Sequence, residues 1–408
     1  MDRCSFIGLR CQRIGSDIMN GNQTIRSAQT TGAEVVGLVD DLLARAVEAD
    51  ASDVHFEPTG RELVIKYRLD GVLSVVERLP AAISDNVIAR LKVLGGLLTY
   101  RNDVPQEGRI EIAPDKVGKV ADQRLAVFPT IYGQRAVVRL FYQNKELTDL
   151  SQLGFPSSIL QMLQSFASGS QGVLLLTGPA GSGKSTTLAA LLRHILQRFP
   201  GKSVVTLEDP VEIRIDGATQ VQITPHGDMT FPVALRSLLR QDPQVLMIGE
   251  IRDADTARIV VEAGLTGHLL ASTMHSGSPA GAILRLLEMG IEPYQVTSSI
   301  WGVINQRLVR RLCPACKRKT DSGLFEAVGC DRCLGTGYKG RVLVAEALHL
   351  DGPLRKAILG RADLDQFQSL LEGQGHAEIG EHARQLVADG VTSEEESHKA
   401  CGFKEQHP

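Results

Sequence analysis

Aromatic side chains are scarce in this sequence, 4% of 408 residues with a single tryptophan. That scarcity disfavours a surface built to stack nucleobases. No stretch approaches the roughly 18 consecutive apolar residues that a membrane-spanning helix needs. Charge of one sign is lacking too. Lys+Arg number 44 against 47 Asp+Glu, a net of −3, so attraction of nucleic acid through overall charge is not expected. The N-terminal MDRCSFIGLRCQRIGSD is basic, but its apolar stretch is too short for a signal-peptide core. The expectation is a cytoplasmic protein with at most peripheral membrane contact. Cysteines are few. Cys4, Cys11, Cys313, Cys316, Cys330, Cys333 and Cys401 make up the set, and four of them form two C-x-x-C pairs. A cytoplasmic chain of this size has no need of disulfide staples, which favours metal for those four.

What is present is globular, with 43% hydrophobic and 22% charged residues. At about 100–200 residues per domain the length predicts two or three domains. Residues 1–30 lack a period and read as a flexible tail. Val39, Leu42, Leu43, Ala46 and Val47 follow the spacing of an amphipathic helix. In LVIKYRLDGVLSVV, Leu63, Ile65, Tyr67 and Leu69 alternate with Val64, Lys66 and Arg68, and Asp70-Gly71 supplies a hairpin turn. Ser84 is expected to cap a second helix carrying Val87, Ile88, Leu91 and Leu94. Strands near 121–128 and 135–141 complete a small α+β domain over 31–145. LTDLSQLGFPSS reads as a linker, 146–158. Beyond it, short uniformly apolar runs at Val173–Leu176, Ser203–Leu207, Val245–Ile248 and His268–Thr273 suit a parallel sheet buried on both faces. They define an α/β domain over 159–310. A tetracysteine module over 311–345, a helical segment over 346–398 and a flexible tail at 399–408 follow.

The strongest motif is Gly178-Pro179-Ala180-Gly181-Ser182-Gly183-Lys184-Ser185, with an apolar strand before it and a helix after it from Thr186 to about Leu196. Glycines let backbone N–H groups curl around phosphate oxygens, and the helix N-terminus adds positive potential. Lys184 is suited to bridging the β- and γ-phosphates of ATP, and the Ser185 hydroxyl to holding Mg²⁺. Two apolar strands then deliver carboxylates at their C-terminal ends, where α/β sheets bind ligands. They run into Glu208-Asp209-Pro210-Val211-Glu212 and Gly249-Glu250-Ile251-Arg252-Asp253. One carboxylate would hold Mg²⁺ and another would orient or deprotonate the attacking water. A third run, Thr266 to His275, carries His268 and His275 at its ends, where they could sense the γ-phosphate.

Together these residues resemble the secretion ATPases of type II secretion and type IV pilus assembly. The resemblance rests on GPAGSGKSTT, TLEDPVE, MIGEIRD, TGHLLASTMHS, LRSLLRQDP, SDVHFEP and RLDG, with an echo in GVTSEE. It implies a RecA-like P-loop ATPase domain preceded by a small α+β, PAS-like domain, in subunits of a homo-hexameric ring. It also implies ATP bound between the two domains and an inner-membrane platform protein as partner, assembling pilin-like subunits. Carried over by position, Glu208 is the catalytic carboxylate and Glu250 lies on the Mg²⁺ side, with the choice of base between them open. His275 completes the catalytic set. Arg124 and Arg139 match the arginines that the family brings from the small domain to the γ-phosphate. Arg135 and Arg139 share one strand face at period two. Three departures stand out. Only about thirty residues precede the small domain, where assembly members carry a docking domain. Gln134 replaces the usual acidic residue after Tyr132-Gly133. The gap between the cysteine pairs is short.

Those pairs read C-x₂-C-x₁₃-C-x₂-C, Cys313 and Cys316 with Cys330 and Cys333, the pattern of a closed, structural Zn²⁺ site. CDRCLGTG also resembles one zinc knuckle of the Hsp40 co-chaperones. Redox pairs or unliganded thiols are the rival readings. Retraction ATPases of the family generally lack the module. A retraction or DNA-uptake motor therefore stands as the alternative to assembly, and a weakly hydrolysing nucleotide-binding regulator as a third reading.

Overall fold

A computed structural model describes residues 32–110, 120–142, 149–223, 229–373 and 378–401. Cys4, Cys11, the expected tail at 1–30, the start of the expected linker and the last seven residues lie outside them. The chain divides into two compact units, broadly before and from Tyr142.

In the first unit, α1 (Gly32–Glu48) buries Val39, Leu42, Leu43 and Ala46 along one face. It is followed by β1 (Asp53–Pro58), β2 (Glu62–Leu69), β3 (Val72–Pro80), α2 (Ser84–Leu94), β4 (Gln106–Ile110), β5 (Val120–Thr130) and β6 (Gly133–Tyr142). The six strands form one sheet in the order β3-β2-β1-β6-β5-β4. Asp70 and Gly71, both at positive φ, make the hairpin between β2 and β3, a conformation that Asp and Gly tolerate best. The Tyr67 hydroxyl donates to the Leu42 carbonyl at 2.6 Å and ties α1 to the sheet. Ser84 does not cap α2. The residue before it, Ile83, ends a 3₁₀ turn and holds the cap position without a side-chain bond, and Ser84 is the first helical residue. The turn already aligns the chain, so no cap is needed to start the helix.

The second unit begins earlier than its motifs suggest. A 3₁₀ turn at Leu150–Leu153, capped by Asp149, lies inside the expected linker, and α3 (Ser157–Ser168) begins before its end. Then come β7 (Gly172–Thr177), α4 (Lys184–Arg198), β8 (Val204–Glu208), β9 (Thr219–Gln222), α5 (Phe231–Leu238), β10 (Val245–Ile248), α6 (Ala254–Leu265), β11 (Leu269–Met274), α7 (Pro279–Glu288), α8 (Pro293–Ser299) and β12 (Ile300–Leu312). The short pair β13 (Arg318–Lys319) and β14 (Phe325–Glu326) leads to β15 (Tyr338–His349). Four helices close the unit: α9 (Gly352–Leu359), α10 (Leu364–Gly373), α11 (Ile379–Ala388) and α12 (Glu394–Cys401).

The main sheet has the order β15-β12-β7-β11-β10-β8-β9, parallel throughout except for antiparallel β15. Its apolar strands serve two cores. Val173 and Leu175 of β7 face one, with Leu246 and Ile248 of β10 and helices α5 to α8. Leu174 and Leu176 face the other, with Val245, Met247 and helices α3 and α4. Alternation within an all-apolar strand is what burial on both faces requires. The sheet does not end at residue 310. Its edge strand β15 returns after the cysteine segment, so that segment is an excursion between two paired strands. Likewise the C-terminal helix runs to Cys401, three residues into the expected tail.

Candidate nucleotide site and cysteine cluster

The loop between β7 and α4 is shaped by glycine. Gly178, Gly181 and Gly183 all sit at positive φ, where a side chain is strained. At Gly178 a Cβ would lie 2.2 Å from the Gln306 carbonyl oxygen, so no other residue fits. Gly183 then caps α4, a 15-residue helix whose free N–H groups and dipole face the loop. The Lys184 ammonium donates to the carbonyls of Gly178 at 2.8 Å and Pro179 at 2.9 Å. Burial lowers its pKa from the usual lysine value, partly opposed by Glu250 and Glu212.

Beside the loop lies a cavity of about 310 Å³. The parallel strands β8 and β10, paired in register with Ile248 beside Leu207, deliver Glu208 and Glu250 to it. Gly249 permits this approach, because a Cβ there would meet the Leu207 carbonyl at 3.3 Å. Glu208 is 8% exposed. One of its carboxylate oxygens, Oε1, accepts from Thr206 Oγ1 at 2.6 Å and from Gln220 Nε2 at 3.1 Å. Glu250 instead meets the Arg252 guanidinium, Nε at 2.6 Å, and the His275 ring, Nε2 at 3.0 Å. Thr273 anchors the start of this acidic turn through the Gly249 carbonyl at 2.7 Å. Lys184, Ser185, Asp209, Glu212 and Asp253 also line it, with Ala180 and Gly181 of the loop.

The structure thus brings together Lys184, Ser185, Glu208, Glu250 and His275. It does not bring His268 there. Six residues separate it from His275 along β11, at the opposite strand end, and its Nδ1 lies 3.2 Å from the Ala263 carbonyl. Arg124 and Arg139 belong to the first unit. Arg139, on β6, donates to Asp53 on β1 at 3.0 Å, its register partner. Arg124, on β5, contacts Asp122 at 3.4 Å and lies 4.9 Å from the centre of the Phe141 ring. Arg135 binds Glu57 at 3.1 Å and His55 at 2.9 Å. Sequence reasoning missed Thr206, Gln220, Asn305 and Gln306. Polar residues inside β12, at the end of the uniformly apolar stretch IWGVI, were the available signal for the last two.

The donors at the two sites can be tested for the ions they would suit. Ser185, Glu208, Asp209 and Glu250 present only oxygen to the cavity, the hard donor set that suits Mg²⁺. The second test concerns the cysteines. Cys313, Cys316, Cys330 and Cys333 place all four sulfurs within 4.8 Å of one another. Cys313–Cys330 is 3.9 Å, and Cys316–Cys333 and Cys330–Cys333 are 3.8 Å. A tetrahedron of Zn–S bonds near 2.3 Å has edges of about 3.8 Å, so the spacing fits. The Cys330 and Gly337 amides each donate to the Cys333 sulfur at 3.2 Å. Burial pushes the Cys333 thiol up, but these amides and the neighbouring thiols outweigh it and bring it down to about 7.

The comparisons with known proteins agree with one another. A family profile described as "Type II/IV secretion system protein" matches residues 28–399. The chain is 39% identical over 366 residues to a type II secretion system protein, HxcR, of Pseudomonas aeruginosa, covering 90% of this chain and 77% of that protein. It is 37% identical over 376 residues to the type IV pilus assembly ATPase PilB of Thermus thermophilus. That match takes in 88% of this chain but 42% of the Thermus protein, so the chain spans less than half of that relative. Among solved structures, the Legionella pneumophila ATPase DotB superposes with a TM-score of 0.66 at 23% identity, over 89% of this chain and 95% of that one. At that identity the likeness speaks for the fold.

Proposed function

The chain belongs to the type II/IV secretion system protein family, and from that premise we propose that it hydrolyses ATP to power assembly of pilin-like subunits. It acts as one subunit of a homo-hexameric ring, in the cytoplasm against an inner-membrane platform protein, and needs no nucleic acid. The observation that carries this is the convergence of Lys184, Ser185, Glu208, Glu250 and His275 on one cavity beside a helix N-terminus.

In this reading Gly178 to Thr186 cradle the phosphates with backbone N–H groups. Lys184 exchanges the carbonyls of Gly178 and Pro179 for phosphate oxygens, and Ser185 with Glu250 would hold Mg²⁺, which would supply charge neutralisation to the phosphates. Glu208 is the better base. Its Oε1 is occupied by neutral donors, leaving the second oxygen to take a proton from water. Glu250 is engaged by Arg252 and His275, which draw on its charge. His275 reports on the γ-phosphate through Glu250. Arg124 and Arg139 stabilise the transferring phosphoryl group once released from their carboxylate and aromatic partners. The cysteine cluster holds Zn²⁺ in a structural role. Its presence favours assembly over the retraction or uptake alternative.

The test is steady-state, Mg²⁺-dependent ATP hydrolysis on a size-resolved sample beside Lys184→Ala. Activity running with a hexamer-sized peak and absent from the mutant supports the motor. Nucleotide binding without turnover in any oligomer favours the regulator reading. Purified protein with well under one equivalent of zinc, prepared without chelator, removes the zinc assignment.

A further inference from the structure

We propose that Gln306 is a positioning residue that clasps the phosphate loop from the neighbouring strand β12. The inference rests on the nucleotide-site reading above for its functional consequence and on geometry for its existence. Gln306 is fully buried. It follows Asn305, the last β12 residue paired with β7, opposite Thr177. It touches the loop at both ends. Its side-chain Nε2 donates to the Ser182 carbonyl at 2.8 Å. Its backbone carbonyl sits where a Cβ on Gly178 would be, and its Nε2 would lie 3.3 Å from a Cβ on Gly183. Asn305 supports the same junction. It meets Thr177 Oγ1 at 3.3 Å and donates to the Gly277 carbonyl, two residues past His275, at 3.0 Å.

The economy of this amide argues against a purely structural role. Among the described residues no protein group hydrogen-bonds Gln306 Oε1 or the buried Ser182 Oγ. A buried acceptor left unsatisfied destabilises the fold, whereas an apolar side chain of equal size would not. The group is therefore explained by what its donor holds. By fixing the Ser182 carbonyl outward, it fixes the peptide that turns the Gly183 N–H toward a phosphate.

Two variants of the full chain test this, Gln306→Met, which keeps the volume and removes the donor, and Gln306→Glu. Hydrogen exchange without nucleotide is the first readout. In Gln306→Met, amides of 180–186 are expected to exchange at least about tenfold faster, with Val245–Ile248 unchanged, the scale of one lost hydrogen bond. The second readout is MgADP affinity, expected to weaken about three- to tenfold. In Gln306→Glu the protonated carboxyl can still donate and the carboxylate cannot. Its affinity relative to wild type should recover as pH falls from 8 to 6, together with slow exchange at 180–186. Because any buried carboxylate recovers on protonation, it is Gln306→Met, which carries no charge, that separates the clasp from a space-filling role. Unchanged exchange at 180–186 in Gln306→Met overturns the inference whether or not nucleotide binds. So does loss of all structure in both variants, which would make Gln306 a core residue. Wild type that fails to bind MgADP, with exchange altered as expected, refutes the nucleotide reading and leaves the clasp standing.

Discussion

The phosphate loop and the cysteine segment are both excursions from the same sheet, yet they are held by different physics. The loop from Gly178 to Gly183 is flanked by β7, whose six residues are all buried, and by α4, and it is gripped by Gln306. Its shape is set by backbone sterics and neighbouring strands before any ligand arrives. The segment from Cys313 to Tyr338 has two two-residue strands and a 3₁₀ turn. Most of its side chains reach solvent. Cys313, Cys333 and Tyr338 are buried in it, too little to fold alone, and close thiolates repel until a cation joins them. On the proposed reading, one site is prepared for its ligand and the other would be completed by it.

The sharpest break of that contrast is Lys184→Ala. Turnover is expected to fall at least about 100-fold, the scale of losing a transition-state charge contact, while the melting temperature stays within a degree or two. Steady-state hydrolysis and calorimetry check both halves. Next in size is Cys313→Ser with Cys330→Ser. Bound zinc should drop to none, and limited proteolysis should cut between residues 313 and 338, with MgADP affinity changed less than about threefold because the loop does not depend on the metal. A large loss of nucleotide affinity would show that the sites are not separable.

A smaller effect is expected from Glu396→Ala. Arg310 donates to Glu396 at 2.6 Å and stacks 4.0 Å over Tyr338, which itself hydrogen-bonds Ser393. Removing the carboxylate leaves a half-buried cation and should cost about 1–3 kcal/mol, read as a lowered melting temperature. The smallest is a pH effect. Burial lowers the pKa of His382, whose Nδ1 accepts from the Ala345 amide at 3.2 Å, a bond that only the neutral ring can make. The unfolded chain therefore binds the proton more readily than the folded one. Stability is fully present above the ordinary histidine value near 6.5 and declines as pH falls below it. Melting curves between pH 7.5 and 5.5 should show this fall in wild type and less of it in His382→Gln, whose amide oxygen can accept the same bond.

The sequence made the buried parallel strands legible because each carries its signal locally, an unbroken apolar run ending in a motif. The hairpin at Asp70-Gly71 was equally readable. What escaped was non-local. β12 mixes Asn305, Gln306 and Arg307 with apolar neighbours, and 25 residues separate the end of β12 from the start of β15, so nothing nearby announces that they pair. The stretch around Leu150–Leu153 read as linker from its polar residues, although Leu150 is buried against the α3–α4 core. For the site, the phosphate loop and carboxylates came from motif spacing. Gln220 and Gln306 could not, since their importance lies in what crosses from another strand.

The length of β12 has a mechanical corollary. It pairs with β7 as far as Asn305, and of its remaining seven residues to Leu312 all but Arg311, which sits in a register shift, are paired with β15. At about 3.3 Å per residue this is a two-stranded cantilever of roughly 23 Å, with the cysteine segment at its far end and α11 splinting one side through Ile379 and Ala383 against Val309 and Val344, joined by Ala400 and Cys401 of α12. The root of the cantilever is Gln306 itself. A tilt of about 5° at the root would carry the tip by roughly 2 Å over that span, so a movement too small to unseat a phosphate is geared up to the width of a side chain at the far end.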